Sequence, residues 1–415
     1  MKELHKNEDK VIFHVDVNSA YLSWEACERL KQSPDSNDLR LLPSAIGGDE
    51  AKRHGVILAK SSPAKAYGVK TGETIYSALR KCPNLILVPP NHALYKAYSK
   101  QLMTLLKNYA PIVEPFSIDE AFCDMSHTSL IYGSPMDAAY QLKEKIVQEL
   151  GFTVNIGISS NKVLAKMASD FKKPNQVHTL FPDEVQTKLW PLPVRRLFSV
   201  GRATEQKLKS LGIYTIEELA NTDKKLLKSH FKKHGELLFG YANGLEHSFL
   251  DRNSISAKGY SNEITIPFDV EDEKTAKWIL LSLSETVCQR MRAANTIGTT
   301  LSVTITYSDF THATHQITLL SPTNTTTLFY EVICKLFDEL WNGNPIRLLG
   351  CGAVKIKDNT STQLNLFDTN RSEKLQKLDT AIDAIRQKFG NKSIMRASFI
   401  KQEKPTLQDK TDTSL

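Results

Sequence analysis

Apolar and polar positions along this chain follow two periods, and the switches between them mark out its elements. VIFHVDV (11–17) is short, apolar and β-branched, the pattern of a buried strand, and an acid lies at its end. In ALYKAYSKQLMTLLKNYA (93–110), Leu94, Ala97, Tyr98, Leu102, Leu105 and Leu106 recur at helical spacing, which predicts an amphipathic helix. PIVEPFS (111–117) and AFCDMS (121–126) read as two strands around a tight turn of Ile118, Asp119 and Glu120. SPMDAAYQLKEKIVQEL predicts a second helix, with Ser134 as N-cap and Pro135 at its first position, and FTVNIGISS follows as a strand. The order β-α-β-β-α-β is the split β-α-β arrangement, whose first strand lies antiparallel to its third. Asp16 is therefore expected beside Asp119 and Glu120, three acids brought together from distant sequence.

From 192 to 245 the pattern changes to short Lys-rich helices broken by glycines, FSVGRATEQKLKSLGIYTIEELA among them, which predicts a separate helical domain. Between about 255 and 357 it reads strand, helix, two strands, helix, strand, a second mixed α/β unit. Beyond, DNTSTQLNLFDTNRSEK is polar, and 359–415 is expected to be a flexible tail containing one helix-like stretch, KLQKLDTAIDAIRQKFG.

A chain of 415 residues exceeds one ordinary domain, in keeping with these divisions. Lys and Arg outnumber Asp and Glu by 53 to 46, a net charge of +7 that suits a polyanionic partner without identifying one. The six cysteines are scattered and form no C-x-x-C pair, so neither a zinc site nor a disulfide framework is expected. Buried thiols in a reducing cytoplasm are. The N-terminal MKELHKNEDK is polar, and no apolar run approaches the roughly 20 residues that span a bilayer, so a soluble cytoplasmic protein without membrane contact is expected.

Three carboxylates at a sheet edge suit hard divalent cations shared with substrate phosphates. A strand-end Asp and an Asp-Glu turn are also ordinary surface punctuation, and spacing alone leaves both readings open. HVDVNSAYLSWE (14–25), SIDEAFCDMS (117–126) and GISSNKVLAKMASDFKKPNQ (157–176), in that order, resemble the best-marked segments of the Y-family DNA polymerases, the translesion enzymes. The resemblance spans roughly residues 10–360 and implies an α+β multidomain right hand. Its ferredoxin-like palm would be 10–20 with 90–175, its small fingers 21–89, its helix-hairpin-helix thumb 176–250, and its α/β little finger 255–358.

The resemblance implies two Mg²⁺ ions, both held by Asp16 and Asp119, with Glu120 on the ion at the primer 3′-hydroxyl and the Val17 carbonyl on the nucleotide side. Tyr21 falls at the steric gate that excludes a ribose; read alone, it is a core aromatic. Lys166 falls at a contact to the dNTP triphosphate, with Lys162 a weaker candidate. The chain departs from the family at four positions: Asn18 stands where an acid is common, Ala20 where a second aromatic is, and Ser62 and Lys65 where a Tyr and an Arg are. Ser62 and Lys65 are expected to contact the nucleotide, Lys65 with a cation but without the bidentate fork of arginine.

Gly201 in the thumb is expected to offer a backbone N–H to a DNA phosphate. Arg290, Arg292, Lys355 and Lys357 are further DNA candidates, or simply a solvated basic face. QLNLFD resembles the bacterial sliding-clamp peptide, with Gln363, Leu364, Leu366 and Phe367 as its contacts; a local packing patch is the other reading. The expected partners are primer-template DNA, dNTP and the clamp, and the expected state is a monomer. The run Gly47-Gly48-Asp49-Glu50 spells the start of a cyclic-dinucleotide cyclase signature, but it precedes the helix at 93–110 and misses the palm hairpin, so a turn in the fingers is expected. A clamp-associated DNA-binding accessory protein without catalysis is the rival from another class, and the three acids weigh against it. No segment is left for a proofreading exonuclease.

Overall fold

The first 40 described residues already set the pattern, a buried strand leading directly into a helix. In chain order the first unit contains β1 (Ile12–Val17), α1 (Ala20–Gln32), β2 (Ser44–Gly47), β3 (Ile57–Lys60), α2 (Ser62–Ala66), α3 (Ile75–Lys81), β4 (Ile86–Val88) and α4 (His92–Tyr109). It continues with β5 (Ile112–Pro115), β6 (Glu120–Asp124), α5 (Ser129–Tyr132), α6 (Pro135–Leu150), β7 (Val154–Ser159), α7 (Lys162–Ser169) and β8 (Val177–Thr179). Four helices close it: α8 (Arg202–Ser210), α9 (Ile216–Ala220), α10 (Lys224–Phe231) and α11 (Lys233–Ala242). This computed structural model describes residues 10–48, 53, 55–246, 248, 250, 257–359, 370–391 and 393–399. Two units divide the chain, residues 1–48 with 56–255 and residues 49–55 with 256–415.

A five-stranded sheet in the order β5-β6-β1-β7-β8 forms the centre of the first unit, and β1 runs antiparallel to both neighbours. The split β-α-β expectation holds for its first four strands. β8 adds a parallel edge to β7 and precedes the helical segment expected from 192. Phe13 and Val15 of β1, Trp24 of α1, Leu102 of α4 and Leu142 of α6 share one buried core. The start of α6 is fixed as expected: Ser134 and Asp137 form a reciprocal capping box and Pro135 takes the first turn.

The opposite face of the sheet carries α7, and the approach is backbone to backbone. A Cβ at Gly157 of β7 would lie 1.9 Å from the carbonyl oxygen of Ala165, so only glycine lets the helix seat there. Asn161 caps α7 by accepting from the Leu164 N–H at 2.9 Å. A separate three-stranded sheet, β3-β2-β4, lies between α1 and α4 in sequence. In the helical segment, Leu208, Ile216, Leu227 and Leu238 are buried together with Val163 and Leu164 of α7.

The second unit contains β9 (Gly259–Val270), α12 (Glu273–Ala293), β10 (Thr296–Tyr307), β11 (His312–Thr323), α13 (Thr326–Leu340), β12 (Ile346–Asp358) and α14 (Asn370–Phe389). Its sheet runs β11-β10-β12-β9, all antiparallel, with α12 and α13 sharing its core. The helix-like stretch expected within the tail from 359 is α14, over 370–389. There α14 buries Asp379 to 4 % exposure, and Asp379 accepts the Thr326 backbone N–H at the start of α13 at 2.7 Å. All six cysteines are free thiols. Among the described residues no helix is long and apolar enough to cross a membrane.

Candidate active site

Strand register brings the acids together. Asp16 of β1 pairs with Glu120 of β6 on one side and Asn155 of β7 on the other, and the Val17 N–H donates to the Asp119 carbonyl at 3.1 Å. Asp119 sits in the turn before β6, where its carboxylate accepts from Ser117 Oγ at 2.6 Å. Among the described residues no three His, Cys, Asp or Glu side chains are gathered closely enough to grip a metal ion. Lysines hold two of the three carboxylates instead.

Asp16 is 8 % exposed and accepts from Lys173 Nζ at 3.0 Å, and Lys173 also pairs with Asp170 at 2.8 Å. Burial outweighs the Lys173 charge and pushes the Asp16 carboxyl up to about 7. Burial opposes the charge on Lys173, but Asp16 and Asp170 raise it above the usual lysine range. Glu120 is ion-paired to Lys166 and lies 3.3 Å from His14 Nε2. Burial alone would raise Glu120; His14 and Lys166 instead hold it down, to about 2.

His14 is wholly buried, with Nδ1 at 2.8 Å from Ser169 Oγ. The single Ser169 hydroxyl proton goes to the Lys166 carbonyl, so Nδ1 donates to Ser169, and His14 adds a donor to Glu120 only when Nε2 is protonated as well. Burial keeps His14 below its usual range, and Nε2 has no hydrogen-bond partner. Lys166 is thus the lasting donor to Glu120. Its ammonium also lies 4.8 Å from the centroid of the Phe116 ring.

Asn18 explains its own departure from the family. Its Nδ2 donates to Asn155 Oδ1 at 3.1 Å, while its Oδ1 accepts from Thr153 Oγ1 at 3.0 Å and from the Asn175 N–H at 2.8 Å. A carboxylate could not donate to Asn155, so the amide ties β1, β7 and the loop after α7 together.

A cavity of about 320 Å³ opens beside Asp119 and Val17, with Ala20 and Tyr21 on its wall. The Tyr21 ring stacks on Tyr95 at 4.4 Å between centroids, which fixes it as a rigid surface of the cavity. Burial, then the Asp119 charge, raise the Tyr21 phenol. Leu58, Ala59, Lys60 and Thr71 also line this cavity; Ser62 and Lys65 are exposed on α2 and are not among its lining residues.

The remaining expectations divide. Lys162 is engaged with Glu114 at 3.1 Å. Gly201 is the N-cap of α8 and exposed. Arg290 lies against the Tyr260 ring and donates to the Ser261 carbonyl at 3.1 Å. Arg292 is corrected from DNA contact to structural tie: it donates to both oxygens of Asp383, at 2.6 and 3.1 Å, and pairs with Asp379 at 3.2 Å. With its side chain 11 % exposed, its charge is already matched within the unit. Lys355 and Lys357 are exposed on β12. Gln363, Leu364, Leu366 and Phe367 lie outside the described residues, as do Asp49 and Glu50.

Sequence reasoning missed His14, Lys60, Thr71 and Lys173. His14 and Lys173 lie inside the quoted motif segments, but no period or charge pattern separates them from their neighbours. Neither Lys60 nor Thr71 stands out by any period or charge pattern.

Comparison with known proteins gives one result throughout. The impB/mucB/samB family model matches residues 15–170, its C-terminal domain matches 257–366, and the IMS family HHH motif matches 182–213. A DNA polymerase IV of Clostridium acetobutylicum is 45 % identical over 394 residues, covering 95 % of this chain and 99 % of the relative. DNA polymerase IV 2 of Bacillus subtilis is 36 % identical over 400 residues, covering 94 % and 95 %. A solved Y-family DNA polymerase chimera aligns with a TM-score of 0.72 at 22 % identity, over 84 % of this chain and all of that one. That likeness bears out the expected right-hand α+β fold.

Proposed function

This chain belongs to the impB/mucB/samB family, the Y-family DNA polymerases, and from that premise we infer that it carries out template-directed translesion DNA synthesis. It is a DNA-directed DNA polymerase, adding dNTPs to a primer 3′-hydroxyl. The observation that carries the reading at this site is the register of β1 against β6, which places Asp16 opposite Glu120 with Asp119 one residue away.

Family membership implies a divalent metal. The donor chemistry suits Mg²⁺, because the three acids and the Val17 carbonyl offer only oxygen, and the ions would take over the charge on Asp16 and Glu120 that Lys173 and Lys166 now balance. Asp16 and Asp119 would hold two ions, Glu120 the primer-side ion, and the Val17 carbonyl the nucleotide side. Bound Mg²⁺ supplies activation of the nucleophilic hydroxyl and stabilisation of the leaving pyrophosphate. The chain's own residues do the rest. Tyr21, braced by Tyr95, blocks the space a ribose 2′-hydroxyl needs. Lys166 and Lys173 set the positive potential that receives a triphosphate. Gly201 at the start of α8 offers a sequence-independent phosphate contact, with Arg290 on the second unit a further DNA candidate. Gln363, Leu364, Leu366 and Phe367 form the proposed docking peptide for a bacterial sliding clamp, and the protein works as a cytoplasmic monomer.

The test is primer extension by the purified chain on a template carrying one abasic site. Extension to and past the lesion in Mg²⁺, and none in excess EDTA, is expected. No extension in Mg²⁺ even on undamaged template would overturn the reading.

A further inference from the structure

The strand leading into α2 puts a second cation near the expected contact Lys65. Lys60 is the last residue of β3, paired with Ala45 of β2, and with Thr71 it lines the same cavity as Val17, Tyr21 and Asp119. Its ammonium donates to Thr71 Oγ1 at 3.1 Å, a neutral oxygen. Among the described residues no carboxylate forms an ion pair with Lys60; Glu73 is committed to Lys81. Burial first, then the like charge of Lys65, hold Lys60 below the usual lysine range, and Glu73 offsets this only in part. A half-buried ammonium with only a hydroxyl partner is short of negative charge, and the cavity in front of it is the place from which that charge can come.

We propose that Lys60, oriented by Thr71, is a nucleotide-binding residue of this polymerase whose ammonium contacts the phosphates of the incoming dNTP. The inference rests on the polymerase reading above. It gives the site a cation on the cavity wall in addition to the expected contacts Ser62 and Lys65. The contact is a charge-assisted hydrogen bond to a ligand common to all four nucleotides, so it raises affinity without reading the base. Thr71 acts through Lys60 as a positioning residue.

Single-nucleotide incorporation by the full chain, with each of the four dNTPs, tests this. Lys60→Met keeps the apolar stem and removes the charge, and should raise KM about 10-fold or more for all four dNTPs, with kcat changed less and primer-template affinity unchanged. Lys60→Arg should return KM to within about 3-fold of the parent, because a cation is restored. Thr71→Val should raise KM by a smaller factor, and the increase should disappear in the Lys60→Met background. An unchanged KM in Lys60→Met would overturn the proposal. So would an effect confined to purines, which would mean base-edge contact, or a loss of primer-template affinity alone, which would mean template contact. Failure of the parent chain to extend any primer would count instead against the polymerase reading itself.

Discussion

At the scale of single residues the site is a balance between burial and charge. Asp16 has a carboxyl raised from 3.8 to about 7, so the folded, metal-free chain favours its protonated form. The associated stability is present below pH 4 and is lost as pH rises through about 7. Asp16→Asn in EDTA should therefore be more stable than the parent at pH 8, by about 1–2 kcal/mol after discounting for partial screening, and the gap should narrow toward pH 5. Thermal unfolding at the two pH values checks this; a variant less stable at pH 8 would contradict it. The same variant should not extend primers, a trade of stability for function. Tyr21→Ala opens the wall beside Val17 and should erode discrimination against ribonucleotides by about 10-fold or more, measured by incorporation of rNTP against dNTP. Undiminished discrimination would return Tyr21 to the role of a core aromatic stacked on Tyr95. At this scale the sequence was informative where a motif carried the residue, as with Asp16, Asp119 and Glu120. It was silent where folding alone creates the neighbourhood. No apolar or charge period links Lys60 to Thr71, 11 residues on, or Lys173 to Asp16, 157 residues away; those pairs exist because the chain folds back on one cavity and one sheet edge.

Elements with long, clean periods were legible. The 18-residue α4 and the capped α6 fall where their apolar spacing and end signals put them, and the hairpin turn at 118–119 separates β5 from β6 as alternation predicts. Short or weakly patterned elements were not. β8 has three residues, too few to display a period, and it is a strand because the edge of β7 offers it a ladder. α14 falls where the helix-like stretch KLQKLDTAIDAIRQKFG was expected, but the polar pairs that hold it were not legible: Asp379 and Asp383 on Arg292, and Arg386 on Glu285 at 3.2 Å. Reading Arg292 from sequence as a DNA contact was reasonable for a basic residue, but the partner acids lie about 90 positions downstream, beyond any local pattern. Arg292→Ala leaves two carboxylates without their cation and should destabilise the second unit by about 2–4 kcal/mol. Primer-template affinity of the folded variant should remain within about 2-fold of the parent. Calorimetry with a salt-controlled binding titration separates the two effects. A large affinity loss without destabilisation would restore the DNA role.

The whole molecule consists of a unit that carries the three acids and a second sheet unit, each with its own core. Net charge of +7 suits a nucleic-acid partner, and the family matches extend through residue 366, into the proposed clamp peptide. Replacing Leu364, Leu366 and Phe367 with Ala should abolish binding to a bacterial sliding clamp while leaving distributive extension without the clamp unchanged. Retained clamp binding would move that role elsewhere. The central claim is that Asp16, Asp119 and Glu120 perform nucleotidyl transfer at the β1–β6 edge. Single-turnover extension of a bound primer-template in Mg²⁺, comparing the parent with Asp119→Asn plus Glu120→Gln, tests it most directly. The double variant should bind primer-template as the parent does and extend at least about 1,000-fold more slowly. Extension at the parental rate by that variant would contradict the account.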